Sequence, residues 1–492
     1  MPHAPKPKSA TAVTVVYPGH MVSSVPALQH TAVTSAVIVN QFEPLFRRNL
    51  GGTLTPLAGL SWEALENHTV FKIKIDTSRR FSDGASLKAS HFKEAWEYGL
   101  GLNPLSSNSS LSDVMSHVVG FENFQATRHL EGLIVRDPDV LEIRFKKPFR
   151  MALDEVSGAR YGVFRKTGET YVGTGPYTIE MLKQGEAKLR KNPFFTATPI
   201  PIEEVRVITL PPKEAVSAFL EKRADILAMA ERADPLLCGK AKDYQFDCRT
   251  GEDSAHRHLT LNAVAGRFFQ NPQHRRALQS LVWRSFRSNT TYEAGLGGRL
   301  DPQFLLPFQP GRLDESEVAR LMASNESEIR ELVEASQKQP IRILTPFESD
   351  PAVELLKQNG ITIENPDDVV TTATLLDSFY KKQDADIYSM TTSTWNGDPD
   401  GIYHFLGKQG AIASPASSRP NVELALEAGK EILNPADLNP AYRKVSEAIL
   451  REVPSIHLGF LSSTVLYWPD RVKHLAPTAA PHSNGLTNFE ER

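Results

Sequence analysis

The nine residues Ser393-Thr394-Trp395-Asn396-Gly397-Asp398-Pro399-Asp400-Gly401 place an indole, an amide and two carboxylates side by side. Gly397 and Gly401 supply permissive backbone, and Pro399 lacks an N–H and pushes Asp398 away from the α region, so the stretch is expected to be a loop. Ala385 to Met390, just before it, reads as a strand that would hold the loop at a sheet edge, a rigid support suited to a binding group. Two readings stand at this point. Either the loop presents a binding group on that support, or Asp398 and Asp400 merely build a turn and Trp395 is half-buried core.

Other chemistries find less support. A glycosidase needs two carboxyl groups on opposite walls of a site, whereas Asp398 and Asp400 flank one proline in one turn. His256 and His258 are two apart on an expected strand and share a face, but no further Cys or His falls nearby at a zinc spacing. Gly295-Leu296-Gly297-Gly298 lacks the Lys-Ser/Thr of a phosphate loop and reads as a plain loop. There is no Gly-x-Ser-x-Gly elbow. No catalytic residue, metal or cofactor is expected.

The elements that must position these residues are those of a large α/β chain. At 492 residues it exceeds one ordinary core, so two or three domains are expected. Hydrophobic content of 40% and charged content of 23% fit a globular protein. A formal net charge of −3 without a long basic run gives no reason to propose nucleic acid as partner. Nowhere do 18 consecutive apolar residues occur, so no segment is expected to span a bilayer. The start, Met1 to Ser9, is rich in Pro and Lys and lacks the apolar core of a signal peptide, which leaves a cytoplasmic protein or a processed chain with a new Met1. Cys238 and Cys248 are the only cysteines, and sequence leaves open a disulfide or two free thiols.

Along the chain, Ala12 to Val16 is a strand. Phe71, Ile73 and Ile75 alternate with lysines, and Leu141, Ile143 and Phe145 alternate with charged residues, so both segments are half-buried strands. The turn Arg136-Asp137-Pro138-Asp139 joins the latter to Leu133-Ile134-Val135 in a hairpin. Phe92, Ala95, Trp96 and Leu100 predict a helix with Ser90 as its cap. Helices follow at Lys213 to Leu220 and after Pro272, and the segment Leu313 to Lys338, rich in Glu and Ser, is expected to be helical and solvent-facing. Ile341 to Leu344, the helix Ala352 to Gln358 and Ile361 to Ile363 form a βαβ unit.

Phe81-Ser82-Asp83-Gly84 leading into the Trp96 helix, Gly173-Thr174-Gly175-Pro176-Tyr177, Arg223-Ala224-Asp225-Ile226, Leu261-Asn262 ahead of Arg275-Arg276-Ala277-Leu278, Trp395 to Asp400, and Glu452-Val453-Pro454-Ser455-Ile456 occur in an informative order. In that order and spacing the chain resembles the family 5 extracellular solute-binding proteins, the peptide-binding subunits of ABC importers and their relatives for nickel, haem and oligosaccharides. The resemblance runs from about Val13 to Leu466. It departs where members usually carry an acidic residue, here Gln270-Asn271-Pro272, and where peptide binders often carry an Arg, here Thr391-Thr392-Ser393-Thr394.

The resemblance implies an α/β, two-lobed periplasmic-binding-protein fold with an extra subdomain. Residues 1–42, 172–265 and 460–492 would form lobe I, 43–171 the accessory subdomain and 266–459 lobe II, with a ligand cleft between the lobes and hinge crossings near Leu261-Asn262 and Pro454 to Phe460. It also implies a monomer that hands a peptide or other small solute to a membrane ABC permease, without catalysis, in the periplasm or at the cell surface. Another solute in the same fold (an oligosaccharide, haem or metal chelate) and a cytoplasmic ligand sensor are the alternatives. In peptide-binding members the Asp of the Trp-containing loop anchors the ligand α-ammonium, a role that falls here on Asp398. Trp395 would offer a face to a side chain or cation, with Asn396 beside it, and Gly397 would let the backbone approach an extended ligand. Asp400 is expected to shape the turn or touch the lobe. Asn262 either reaches the cleft or satisfies the hinge backbone.

Overall fold

The computed structural model describes residues 12–21, 23–28, 31–48, 53–102, 111–183, 185–200, 202–234, 236–288, 298–347, 350–365, 368–393, 398–407, 419–472, 475–477 and 489–491. The chain divides into two compact units, one comprising Met1–Glu252 with Ser463–Arg492 and the other Asp253–Ser462. The chain passes from one unit to the other inside two long strands, Asp247–Leu261 and Ser455–Tyr467. These crossings fall at 252/253 and 462/463, against sequence-based boundaries at 265/266 and 459/460.

In the first unit the central strand is Ala12–Pro18. It runs parallel to Glu204–Leu210 on one side and to Ile226–Ala228 on the other, and the helix Pro212–Leu220 connects those two neighbours. Pro212 sits in the first turn of that helix, where its missing N–H has no intrahelical partner to lose. Val13, Val15 and Tyr17 face one core with Val37, Val205 and Val207, while Val16 faces another with Phe219, Leu227, Leu466 and Trp468. Both faces are covered, as a parallel strand requires. The edge is finished by the antiparallel hairpin Tyr177–Lys183 and Glu186–Lys191.

A separate core in the same unit is built on an antiparallel sheet in the order Gly59–Leu65, Val70–Ile75, Val140–Arg144, Leu133–Asp137. Phe71, Ile73 and Ile75 point into it and Lys72 and Lys74 away, and the helix Ala89–Leu102 packs Phe92, Ala95, Trp96 and Leu100 against it. Ser90 lies inside this helix, one residue past its start, and is not its cap. The apolar run from Val33 folds as the helix Ala32–Ile38, capped by Thr31 accepting from the Thr34 N–H. Cys238 and Cys248 are joined in a disulfide with their Cα atoms 5.6 Å apart, which decides between the two states the sequence left open.

In the second unit, the strand Ile387–Ser393 lies between Asp247–Leu261, antiparallel, and Ile343–Leu344, parallel. Gly298–Leu300 pairs with Gly459 to Leu461 of Ser455–Tyr467. The helices Pro272–Ser288, Pro351–Gln358 and Leu438–Glu452 cover this framework through Leu278, Leu281, Leu355, Leu356, Val445 and Ile449. The segment Leu313 to Lys338, expected to be helical, consists of two helices, Glu315–Leu321 and Glu326–Lys338. Each starts with its own capping box, Asp314 with Glu317 and Asn325 with Glu328, so the second start signal outcompetes continuation of the first helix. Among the described residues no helix is long and apolar enough to cross a membrane.

Candidate ligand-binding loop

The strand Ile387–Ser393 leads directly into the loop singled out in the sequence. Trp395, Asn396 and Gly397 lie outside the described residues. From Asp398 onward the chain is more regular than expected, because Pro399–Ile402 forms a 3-10 helix. Asp398 is its cap. The backbone is extended at φ −85 and ψ 141, and the carboxylate accepts from the Asp400 N–H at 2.9 Å. Pro399 then supplies a fixed φ where no N–H is needed.

The backbone of Asp398 is held from a second direction. Its carbonyl accepts from Gln309 Nε2 at 2.9 Å, and Gln309 Oε1 in turn accepts from the Leu306 N–H at 2.7 Å. The side chain of Asp398 is half-buried. Asp400, two residues on, is 2% exposed and accepts the Tyr442 hydroxyl at 2.6 Å. Tyr442 approaches this closely because Gly311 has no side chain: a Cβ there would stand 2.3 Å from that of Tyr442, and its φ of +97 suits only glycine. The two carboxylates therefore differ in kind, one at the mouth of a turn and one in the core.

Asn262 is 1% exposed, and its amide is committed to backbone on all sides. Nδ2 donates to the carbonyls of Gln383 at 3.0 Å and Ala385 at 2.7 Å, and Oδ1 accepts from the Val264 N–H at 3.1 Å. Asp386, beside it, accepts from the Arg342 N–H at 3.0 Å, with burial pushing its carboxyl above the ordinary range. Together these two residues pin the entry of the strand that carries the loop.

The family profile of bacterial extracellular solute-binding proteins, family 5 Middle, matches residues 53–414, which include Asn262 and the whole loop. The chain is a family 5 extracellular solute-binding protein. No curated protein sequence matched. Among solved structures, the murein tripeptide binding protein MppA of Escherichia coli aligns at 15% identity over 99% of each chain with a TM-score of 0.81. The ABC transporter-associated periplasmic binding protein DppA of Helicobacter pylori, in complex with the peptide STSA, aligns at 14% identity over 99% of each chain with a TM-score of 0.77. NikA of Staphylococcus aureus, in complex with Ni(L-His)2, aligns at 14% identity over 98% of this chain and 100% of the other, again with a TM-score of 0.77. At these identities the likeness establishes the α/β, two-lobed periplasmic-binding-protein fold.

This solute-binding protein also contains polar clusters that local sequence did not reveal. Arg257 and Asp350 form a buried ion pair at 2.7 Å, and Arg257 also donates to the Met390 carbonyl and lies 3.9 Å from the Phe347 ring centroid. Burial pushes the Asp350 carboxyl up, but Arg257, Ser389 at 2.6 Å and Thr345 at 2.7 Å together hold it below the ordinary range. The pair ties the strand under the loop to the helix Pro351–Gln358, which Asp350 caps.

His256 and His258 share a strand face as expected, yet they engage different groups. The His457 Nδ1–H donates to the Asp301 carbonyl at 2.7 Å, so in neutral His457 Nε2 accepts, and His256 Nδ1 is the donor across their 3.0 Å contact. His258 Nδ1 meets Ser455 Oγ at 3.2 Å, and its Nε2 meets Thr392 Oγ1 at 3.2 Å. Among the described residues no group of three or more His, Cys, Asp or Glu side chains is placed to hold a metal ion. In the first unit, Glu231 is buried and accepts from the Thr464 N–H at 2.9 Å, and burial pushes its carboxyl up to about 7. The Arg257–Asp350 pair and the Glu231–Thr464 contact join residues 93 and 233 positions apart, separations at which sequence periodicity carries no signal.

Proposed function

We propose that this protein captures a peptide-like solute and delivers it to a membrane ABC permease, acting as a monomer outside the cytoplasm and without catalysis. The observation that carries this reading is the placement of Asp398: a half-buried carboxylate at the start of a turn whose backbone is fixed by Gln309. A ligand ammonium withdrawn from water needs a charge and hydrogen-bond acceptors, and a positioned carboxylate provides both. Membership of family 5 supports the carrier role, and the peptide bound by DppA of Helicobacter pylori supports the solute class. In this reading Trp395, Asn396 and Gly397 complete the contact. Asp400 and Asn262 serve it from behind, through Tyr442 and through the strand entry.

Thermal shift against di- to pentapeptides, oligosaccharides and nickel–histidine tests the assignment. A ligand that binds only the folded state stabilises it by RT ln(1 + [L]/Kd), roughly 2.7 kcal/mol at a hundredfold excess over Kd. Peptides are expected to raise the melting temperature. A shift with the sugar or the nickel chelate and none with any peptide would leave the fold intact and overturn the solute.

A further inference from the structure

A hollow of about 480 Å³ lies in the second unit, between the 3-10 turn Phe268–Gln270 with the start of the helix Pro272–Ser288 and the end of the helix Glu326–Lys338. None of its lining residues belongs to the loop of Asp398. Two permanent cations, Arg267 and Lys338, line it, and no carboxylate does. Among the described residues neither cation has a hydrogen-bonded or ion-paired side-chain partner. Asp386, the acid that Arg267 senses, is buried and turned to the N–H groups of Arg342 and Phe268. A guanidinium and an ammonium left unpaired around one concavity favour an anionic guest, which a charge-assisted pair would hold.

The neutral side chains sharpen the class of anion. Gln270 uses Oε1 to accept from the Gly266 N–H at 2.8 Å, and Asn271 uses Oδ1 to accept from the Gln273 N–H at 2.9 Å. Both amides therefore have their NH2 donors left for a guest. His274 is different. Its Nδ1 lies 3.1 Å from the Phe268 carbonyl, an atom that can only accept, so Nδ1 carries the proton and Nε2 of the neutral ring is an acceptor. We propose that this hollow binds inorganic phosphate through Arg267, Lys338 and the amides, with His274 Nε2 accepting the P–OH of the hydrogen phosphate dianion. Sulfate, phosphodiesters and the dianions of phosphate monoesters match the donors but bring no proton for the imidazole, so they bind more weakly. The site goes beyond the capture of solute at Asp398 and does not depend on it.

Isothermal titration of the full chain at pH 7.5 with sodium phosphate, glycerol phosphate and sodium sulfate at matched ionic strength, with phosphatidylglycerol vesicles as the diester arm, tests the proposal. Saturable binding of phosphate is expected, about tenfold or more tighter than glycerol phosphate, sulfate and the vesicles. R267Q/K338Q, both at partly or fully exposed positions, should weaken phosphate by about tenfold or more with the melting temperature unchanged. His274→Phe should erase the preference over sulfate while leaving residual anion binding. Absence of saturable phosphate binding, or phosphate binding indifferent to the double substitution, overturns the site. Sulfate or vesicles binding as tightly as phosphate overturns the assignment of His274 as acceptor.

Discussion

The Tyr442 hydroxyl donates to the buried Asp400 carboxylate at 2.6 Å, tying the helix Leu438–Glu452 to the turn that begins at Asp398. This relationship separates the two carboxylates experimentally. Asp400→Ala removes the acceptor of a buried hydroxyl and is expected to cost about 1.5–3 kcal/mol in urea unfolding. Its effect on the affinity of the protein that remains folded should be small.

Asp398 should behave in the opposite way. Asn can cap the turn as Asp does, so Asp398→Asn keeps the acceptor for the Asp400 N–H while removing the charge. The melting temperature of the apo protein should barely move. Peptide affinity should fall by about two to three-and-a-half decades, the expected loss when a buried ammonium is left without its partner. N-acetylated peptide completes the cycle: acetylation should weaken binding to the wild type severely and to Asp398→Asn hardly at all. Equal losses in both proteins would show that Asp398 does not hold the ammonium.

The buried histidines predict acid sensitivity. Burial holds His256 down to about 3 and also lowers His258 and His457, which the neighbouring imidazoles and Arg257 or Arg312 depress further. The unfolded chain takes up these protons near pH 6.5 and the folded one does not, so stability is full above that pH and falls below it. Each histidine adds up to about 1.4 kcal/mol per pH unit on the way down. Unfolding in urea at pH 7.5, 6.5 and 5.5 should show this slope, and His457→Gln should reduce it by about one proton.

Glu231 predicts the reverse trend in the first unit. Its carboxyl, raised to about 7 by burial, is protonated in the folded state where the unfolded chain is ionised. The wild type therefore loses stability as pH rises from about 4.5 to about 7, by up to about 3 kcal/mol. Glu231→Gln keeps an oxygen for the Thr464 N–H and has no proton to lose. Its melting temperature relative to wild type should climb across that window and then level off; a difference constant with pH would remove Glu231 as the cause.

The disulfide closes a short loop of sequence separation 10. By loop-closure entropy it stabilises the first unit by about 2.5 kcal/mol. The Cys238→Ser/Cys248→Ser protein should lose that amount in denaturant unfolding and become insensitive to dithiothreitol.

Legibility followed the range of the signal. Phe71, Ile73 and Ile75 displayed their period because one face of that strand meets the core and the other meets water. Ser455–Tyr467 is buried on nearly every residue, so the alternation of Ile456, Leu458 and Phe460 marks a strand without marking a face. Val33, Thr34, Val37 and Ile38 have β-branched side chains, yet they fold as a helix because the core around Val37 and the Thr31 cap outweigh propensity. In the loop, the turn at Asp398 was legible from the neighbouring Pro399 and Gly401. The burial of Asp400 was not, because Tyr442 and the permissive Gly311 stand far away in sequence.

The second unit is one uninterrupted run of chain, Asp253–Ser462, set within the sequence of the first. Ribosomal synthesis therefore delivers it whole while the first unit is still unfinished. Ile226–Ala228 waits for its antiparallel neighbour Val465 to Tyr467, more than two hundred residues later. Until those residues emerge, Phe219 and Leu227 lack Leu466 and Trp468, and the nascent chain shows apolar surface of the kind chaperones hold. The part begun first is thus completed last.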